Sequence, residues 1–409
     1  MPNHLGRVAR PVLAVLTALL LLAAGCGSSG DETGEVSSAA DAADNTADDT
    51  STETGGDAAD GADGASEQPG AGKTANLGRG NWSSGYVQAQ ILHDLMEELG
   101  YEVSSPDELE FAPDLAYQTM AEGDMDFWAN SWYPSHLSWW EGELTDGTNV
   151  GDHLVRLEGS LMPGGGLQGM LITKSWAEAE GITTMRGIND NPDLVAALDR
   201  DGDGKGEFYG CPEDWTCDDI MASQIVFAGW DNMEQIQAGY DAMFAEFLDL
   251  AQDGEPAVMY TWTPTSYLAQ AIPGEVTMWL SHPESDVLDD SNPLGKEGGE
   301  EYAQRRDGGE IGYTGLSADT CLQGPDGCQV GWLAADIEVT ANREWLEDNP
   351  AAEALFQAFK PPLIDLAIAG VDLANSDGAQ RDVEAIAAGW VAENRLLVDG
   401  WLDTARAAG

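Results

Sequence analysis

An α/β fold is predicted from two observations. Apolar stretches of strand length alternate along the chain with segments of helical periodicity, and residues that start or stop helices bound the helical segments. The alternation implies parallel sheets with both faces covered, because a helix between two strands carries the chain back across the sheet. No internal repeat is present, and roughly 330 residues follow the N-terminal region, enough for two lobes of ordinary domain size.

The chain opens with Arg7 and Arg10, an apolar run over residues 12–24, and Gly25-Cys26. The run is too short to cross ~30 Å of hydrocarbon comfortably and ends in small residues, so residues 1–25 read as a signal peptide and the protein is expected to be exported. Ala23-Ala24-Gly25-Cys26 resembles a bacterial lipobox, which would make Cys26 the lipidated first residue of the mature chain; the alternative is ordinary secretion. From Gly27 to about Ala75 the chain is Gly, Ser, Ala, Thr, Asp and Glu-rich without an aromatic residue, so it cannot bury enough apolar surface to offset its ordering entropy. Residues 26–75 are therefore an expected acidic tether.

Beyond the tether, Ser83 or Ser84 can cap a helix whose apolar positions Val87, Ile91, Leu95 and Leu99 recur at helical spacing and which Gly100 can end. An extended Tyr101-Glu102-Val103 follows, then a helix over about 114–122 before Gly123, and an apolar strand over 125–129 that runs into Trp132. Further helices are expected around 218–229, 238–252, 350–359 and 379–396. Strands are expected around 168–173, 256–260, 276–280 and 334–340. Nothing after Cys26 is long and apolar enough to span a membrane.

The 73 acidic against 17 basic residues give a formal charge of −56. Such a surface repels nucleic acid and anionic lipid, and suits solubility at high ionic strength, where screening weakens self-repulsion. With Cys26 set aside, four cysteines form two local pairs, Cys211 with Cys217 and Cys321 with Cys328. In an exported chain these read as disulfide-closed loops; zinc is the rival, at spacings longer than C-x-x-C and with no His nearby in sequence.

Three segments place a Trp at a chain bend: Trp132-Tyr133-Pro134-Ser135-His136, Cys211-Pro212-Glu213-Asp214-Trp215-Thr216-Cys217 and Tyr260-Thr261-Trp262-Thr263-Pro264. Converging aromatic faces hold quaternary ammonium groups, because a permanent cation is drawn to the ring quadrupole and has no N–H to bond. Trp132 and Trp262 follow expected strands, where ligands of open α/β sheets sit. Among 14 Trp, any one alone reads as a core aromatic.

With the W-x-P-x-H, D-x-x-G-D-G-K, C-x3-W-x-C and Y-T-W-T-P segments in this order, the chain from about Asn76 to Ala408 resembles the substrate-binding proteins of ABC importers for glycine betaine and proline betaine. The resemblance implies a two-lobed type II periplasmic-binding-protein fold with a ligand cleft, lobe 1 spanning 76–168 and 336–409 and lobe 2 spanning 169–335. It implies Trp132, Trp215 and Trp262 as a box for the ammonium group, with His136 and the backbone N–H of Thr216 holding the carboxylate. The family's residue at the position of Thr216 is typically Gly, and Ser131 is a second departure. The partners implied are an ABC permease and its ATPase, and the chain is expected to act as a monomer.

Trp82, just before the first helix, either borders the site or packs beneath the helix start. Asp199, Asp201, Asp203, Lys205 and Glu207 lie in a stretch with the alternating oxygens and central Gly of a calcium loop, but its twelfth position is Gly210 instead of Glu. A structural calcium and a plain acidic turn both fit, and no other cofactor is expected. The signatures H-E-x-x-H, G-x-S-x-G and G-x-x-x-x-G-K-[ST] are absent, so no enzyme is expected; Gly-rich Met162-Pro163-Gly164-Gly165-Gly166 reads as a flexible crossing. A ligand-binding sensory domain and a Trp-platform carbohydrate protein are the rival functions.

Overall fold

The structure is a computed structural model and describes residues 67–289, 304–305, 315–321 and 327–409. The leader, Cys26 and nearly all of the tether lie outside the described residues.

The first folded elements follow the sequence signals closely. Helix α1 (Tyr86–Glu98) buries Val87, Ile91, Leu92 and Leu95, and α2 (Pro113–Glu122) starts on a proline and stops at Gly123, which adopts φ 84°. Neither Ser83 nor Ser84 caps α1. A 3-10 turn, Ser83–Gly85, precedes it without a side-chain cap, and the Ser84 hydroxyl is engaged elsewhere.

Ten strands form two five-stranded sheets. In chain order they are β1 (Leu77–Gly80), β2 (Glu110–Phe111), β3 (Phe127–Tyr133), β4 (Leu154–Gly166), β5 (Gln168–Thr173), β6 (Gly206–Tyr209), β7 (Met233–Ile236), β8 (Val258–Trp262), β9 (Thr277–Trp279) and β10 (Ala335–Asn342). The first sheet has the order β2-β1-β3-β10-β4 and the second β9-β5-β8-β6-β7. Two small two-stranded sheets, Thr74–Ala75 with Glu102–Val103 and Gly315–Leu316 with Cys328–Gln329, lie outside them.

The sheets are mixed, which corrects the expectation of parallel ones. Strand β3 pairs parallel to β1, but β10 is antiparallel to both β3 and β4, and β5 is antiparallel to β8 and β9. The antiparallel members are the strands through which the chain changes sheet. It leaves β4 at Gly166 and enters β5 at Gln168 with only Leu167 between, and it returns at Ala335, which pairs with Gly166. Gln168 pairs with Trp262 of the second sheet and Ala335 belongs to the first, so each change of sheet comes one residue earlier than the resemblance implied. Met162–Gly166 is the end of β4 and not a loose crossing.

Between the strands of the second sheet lie α3 (Lys174–Glu180), α4 (Met185–Asn189), α5 (Pro192–Leu198), α6 (Thr216–Ala228) and α7 (Tyr240–Asp253). After β10 come α8 (Arg343–Glu347), α9 (Pro350–Ala358), α10 (Leu363–Ala374), α11 (Gln380–Glu393) and α12 (Arg395–Ala408); the single helix expected over 379–396 is two, broken at Asn394. The core of the first sheet is built on Leu77, Phe127, Val339 and Phe356, and that of the second on Ile172, Phe208, Phe247 and Val258, all fully buried. Among the described residues no single helix is long and apolar enough to cross a membrane.

Candidate ligand-binding site

Strand alternation decides what β3 presents. Asn130 and Trp132 share one face, while Ser131 and Tyr133 take the other, where both hydroxyls meet Thr340 Oγ1 of β10 at 2.6 and 2.7 Å. Ser131 thus points away from the cleft and belongs to a buried hydroxyl network. The Trp132 ring lies over Gly166, where a Cβ would approach it to 2.6 Å, so the end of β4 has to be bare for the ring to fit.

One cleft is lined by Trp82, Trp132, His136, Trp215, Thr216 and Trp262, together with Ser135, Gln168, Tyr260 and others. All six residues named from the sequence, including Trp82, therefore meet at one place. The Trp82 and Trp215 ring centroids lie 5.5 Å apart at 69°, and Trp215 and Trp262 lie 5.4 Å apart at 73°. Rings set edge to face stand nearly at right angles, as adjoining walls of a box do. Trp132 is the penultimate residue of β3, Trp262 is the last of β8, and each strand is followed by a cis peptide bond, before Pro134 and Pro264.

Trp215 sits in the loop closed by a Cys211–Cys217 disulfide, with Cα atoms 5.9 Å apart, and forms the N-cap of α6. Thr216 is the first helical residue, so its N–H has no intrahelical acceptor and lies at the positive end of the helix. The second disulfide joins Cys321 to Cys328, with Cα atoms 5.8 Å apart.

His136 is 5% exposed and held on three sides. Its ring stacks on Trp128 at 5.8 Å and 15° and meets Tyr117 edge-on at 5.6 Å. Its Nδ1 accepts the backbone N–H of Trp132 at 3.1 Å and lies 3.0 Å from the Tyr117 hydroxyl. A backbone N–H can only donate, so Nδ1 is an acceptor and the proton of the neutral ring belongs on Nε2. Burial pushes the imidazole pKa down to about 3, which keeps the ring neutral. Burial also raises the Tyr117 pKa well above its ordinary value, so the phenol retains the proton it donates to Nδ1. His136 is thus a neutral, oriented single donor.

Each of the four Trp residues lining the cleft has an acceptor for its indole N–H. Trp82 and Trp132 both donate to Asn130 Oδ1, at 3.1 and 2.5 Å. Trp215 donates to Asn81 Oδ1 at 2.9 Å and Trp262 to Ser84 Oγ at 3.2 Å. Nearby, Trp139 donates to Thr216 Oγ1 at 2.7 Å. The Thr side chain at that position therefore carries a contact to the 3-10 segment Ser135–Glu141, which follows β3.

Over residues 73–393 the chain matches the family described as the substrate binding domain of ABC-type glycine betaine transport systems. The chain belongs to this family. Its relatives include the glycine betaine-binding periplasmic protein OusX of Dickeya dadantii, 30% identical over 84% of this chain and 93% of that protein. The glycine betaine/proline betaine-binding periplasmic protein of Escherichia coli is 28% identical with the same coverage. Among solved structures, the lactococcal OpuAC protein in its closed, glycine betaine-bound conformation aligns with TM-score 0.54 at 16% identity, over 81% of this chain and 99% of that one. An ABC-transporter choline-binding protein in complex with choline aligns with TM-score 0.56 at 15% identity, over 82% and 96%. These likenesses show the type II periplasmic-binding-protein fold.

In this family member the acidic loop stands apart from the cleft residues. The carboxylates of Asp199, Asp201 and Asp203 cluster within 4.8 Å and accept backbone N–H groups of Gly202, Gly204, Asp203 and Lys205. Glu207 accepts the N–H of Arg200, and the Lys205 ammonium pairs with Glu234 at 3.2 Å. These bonds shape the turn. Asn81, Ser84, Tyr117, Asn130, Trp139 and Gln168 are site residues that the motifs did not reveal; Asn130, a polar residue inside the apolar run of β3, carried the one usable signal.

Proposed function

We propose that this protein is the extracytoplasmic ligand-binding component of an ABC importer and that its ligand is a betaine, gripped between jaws built on the two sheets. The observation that carries this reading is the meeting of Trp82, Trp132, Trp215 and Trp262 with His136 and Thr216 in one cleft, His136 having its Nε2–H and Thr216 its backbone N–H to offer. A betaine joins a cation that donates no hydrogen bond to a carboxylate that needs donors. Aromatic faces serve the first and N–H groups the second. Desolvated cation–π contacts contribute roughly 2 kcal/mol each and charge-assisted hydrogen bonds ~1.5–3 kcal/mol, which suits micromolar binding once association costs are subtracted. The names of the relatives, glycine betaine- and proline betaine-binding proteins, support the same ligand class. Choline fits less well, because it offers His136 no carboxylate.

Ligand bound to both jaws favours their closure, and a permease that reads the closed form accepts the cargo. The lipobox-like Ala23-Ala24-Gly25-Cys26 supports anchoring to the outer face of the cell membrane through Cys26, which mass spectrometry of the mature N-terminus tests. Calorimetric titration with glycine betaine, proline betaine and choline tests the ligand: micromolar betaine binding with weaker choline is expected. No binding heat with any methylated ammonium compound would sink the proposal.

A further inference from the structure

Two of the four box rings, and the residue beside one of them, carry hydrogen bonds that link the loops of one sheet to those of the other. Asn81 and Ser84 follow β1 of the first sheet; their partners Trp215 and Trp262 belong to the second. Trp139 follows β3 of the first sheet and donates to Thr216 of the second. Asn81 also approaches the disulfide loop through its Nδ2, 3.5 Å from Asp214 Oδ2, which fixes which way its amide points. An indole offers its face to a cation and, in the same plane as the ring, an N–H at its edge. One Trp can therefore hold ligand and reach across the cleft at the same time, and a ring turned away from the cation also loses its acceptor.

We propose that Asn81, Ser84 and the Trp139–Thr216 pair form a latch that couples ring orientation in the box to closure and so sets how slowly ligand leaves. They are positioning residues, acting on ligand through Trp215, Trp262 and the α6 N-terminus. The inference rests on the betaine reading of the cleft. It accounts for the side chain at position 216, whose hydroxyl serves closure while its backbone N–H faces the ligand.

The test is release of radiolabelled glycine betaine from the whole protein, chased with unlabelled ligand, alongside the association rate. Asn81→Ala, Ser84→Ala, Trp139→Phe and Thr216→Val are each expected to speed release about 3- to 10-fold, the loss of one hydrogen bond, with association within about twofold of the parent. Because Trp139→Phe and Thr216→Val break the same bond, the double variant should release no faster than the worse single, whereas Asn81→Ala with Ser84→Ala should multiply. Ser84→Thr keeps the acceptor and should retain slow release, whereas Asn81→Asp, which turns a carboxylate toward that of Asp214, should release fast like Asn81→Ala. Parent-like release in all four single variants, or multiplying effects within the Trp139–Thr216 pair, overturns the latch. Absence of betaine binding by the parent protein overturns the betaine reading instead.

Discussion

The two halves of the aromatic box are supported differently. Trp82 and Trp132 hang on one acceptor, Asn130, which stands beside Trp132 on its own strand, so this half is held within the first sheet. Trp215 and Trp262, from the second sheet, find their acceptors in Asn81 and Ser84 of the first. On the proposed latch, one half is built before ligand arrives and the other is completed by closure. A cleft made this way can offer a fixed receiving surface and still couple ligand contact to movement of the second half.

Replacing Trp215 strikes the conditional half hardest. Trp215→Ala removes a cation face and the bond to Asn81, together ~3 kcal/mol, and calorimetry should show betaine affinity falling about 100-fold. His136→Phe removes the carboxylate donor and should weaken betaine about 10- to 100-fold while leaving choline within about threefold; equal losses for both ligands would contradict the donor role. Asn130→Ala attacks the preorganised half. It should cost about 10-fold in affinity and, unlike Asn81→Ala, lower the melting temperature of ligand-free protein, because two buried indole N–H groups lose their acceptor. Opening the Cys211–Cys217 loop with paired Ser substitutions should cost about threefold through the added ordering of Trp215.

The smallest expected effect is that of pH on affinity, which should stay flat between about pH 8 and 5. The His136 pKa of about 3 lies below the ordinary 6.5, so the bound ring stays neutral with its proton on Nε2 throughout that range. Stability behaves otherwise. Below about pH 6.5 the unfolded chain takes up a proton that native His136 refuses, and His282, held down to about 4 by burial, adds a second. Stability should therefore fall with pH, each group contributing up to ~1.4 kcal/mol per pH unit until its native pKa is reached. Urea denaturation across that range checks the sign, and a betaine affinity that falls in step with stability would mean the ring charges in the folded state.

Much of the site was legible because its residues cluster in short motifs. Trp132 and His136 are separated by three residues and Trp215 lies between paired cysteines, so each motif announces itself locally. The acceptors are dispersed: Asn81, Ser84 and Asn130 are ordinary polar residues until the fold brings indoles to them. Ser84 shows why, since a serine before a helix suggests a cap and its hydroxyl is instead taken by Trp262, 178 residues away. In the fold, the helices with clear stops at Gly123, Gly229 and Gly254 were readable, whereas α10, an apolar segment with no side-chain cap at its start and no glycine at its end, was not. The glycine-rich end of β4 looked like a linker because a strand that must pass beneath a Trp ring gives up side chains there. Strand direction was misread for a related reason, since it depends on where the chain changes sheet.

The pairing of Gly166 with Ala335 puts both passages between the sheets side by side, with Trp132 resting on one of them and Trp262 paired to Gln168 just beyond it. In a turning motion, points near the axis travel least. In the proposed closure these two rings stand near the fulcrum, so Trp262 has only a short swing to meet Ser84 while Trp132 stays with its own sheet. In that closure Trp215, out on its disulfide loop, travels furthest. A ligand met by the open form would find its cation already half seated, and the long stroke of the motion would fall to the ring whose loop is stiffened by a covalent bond.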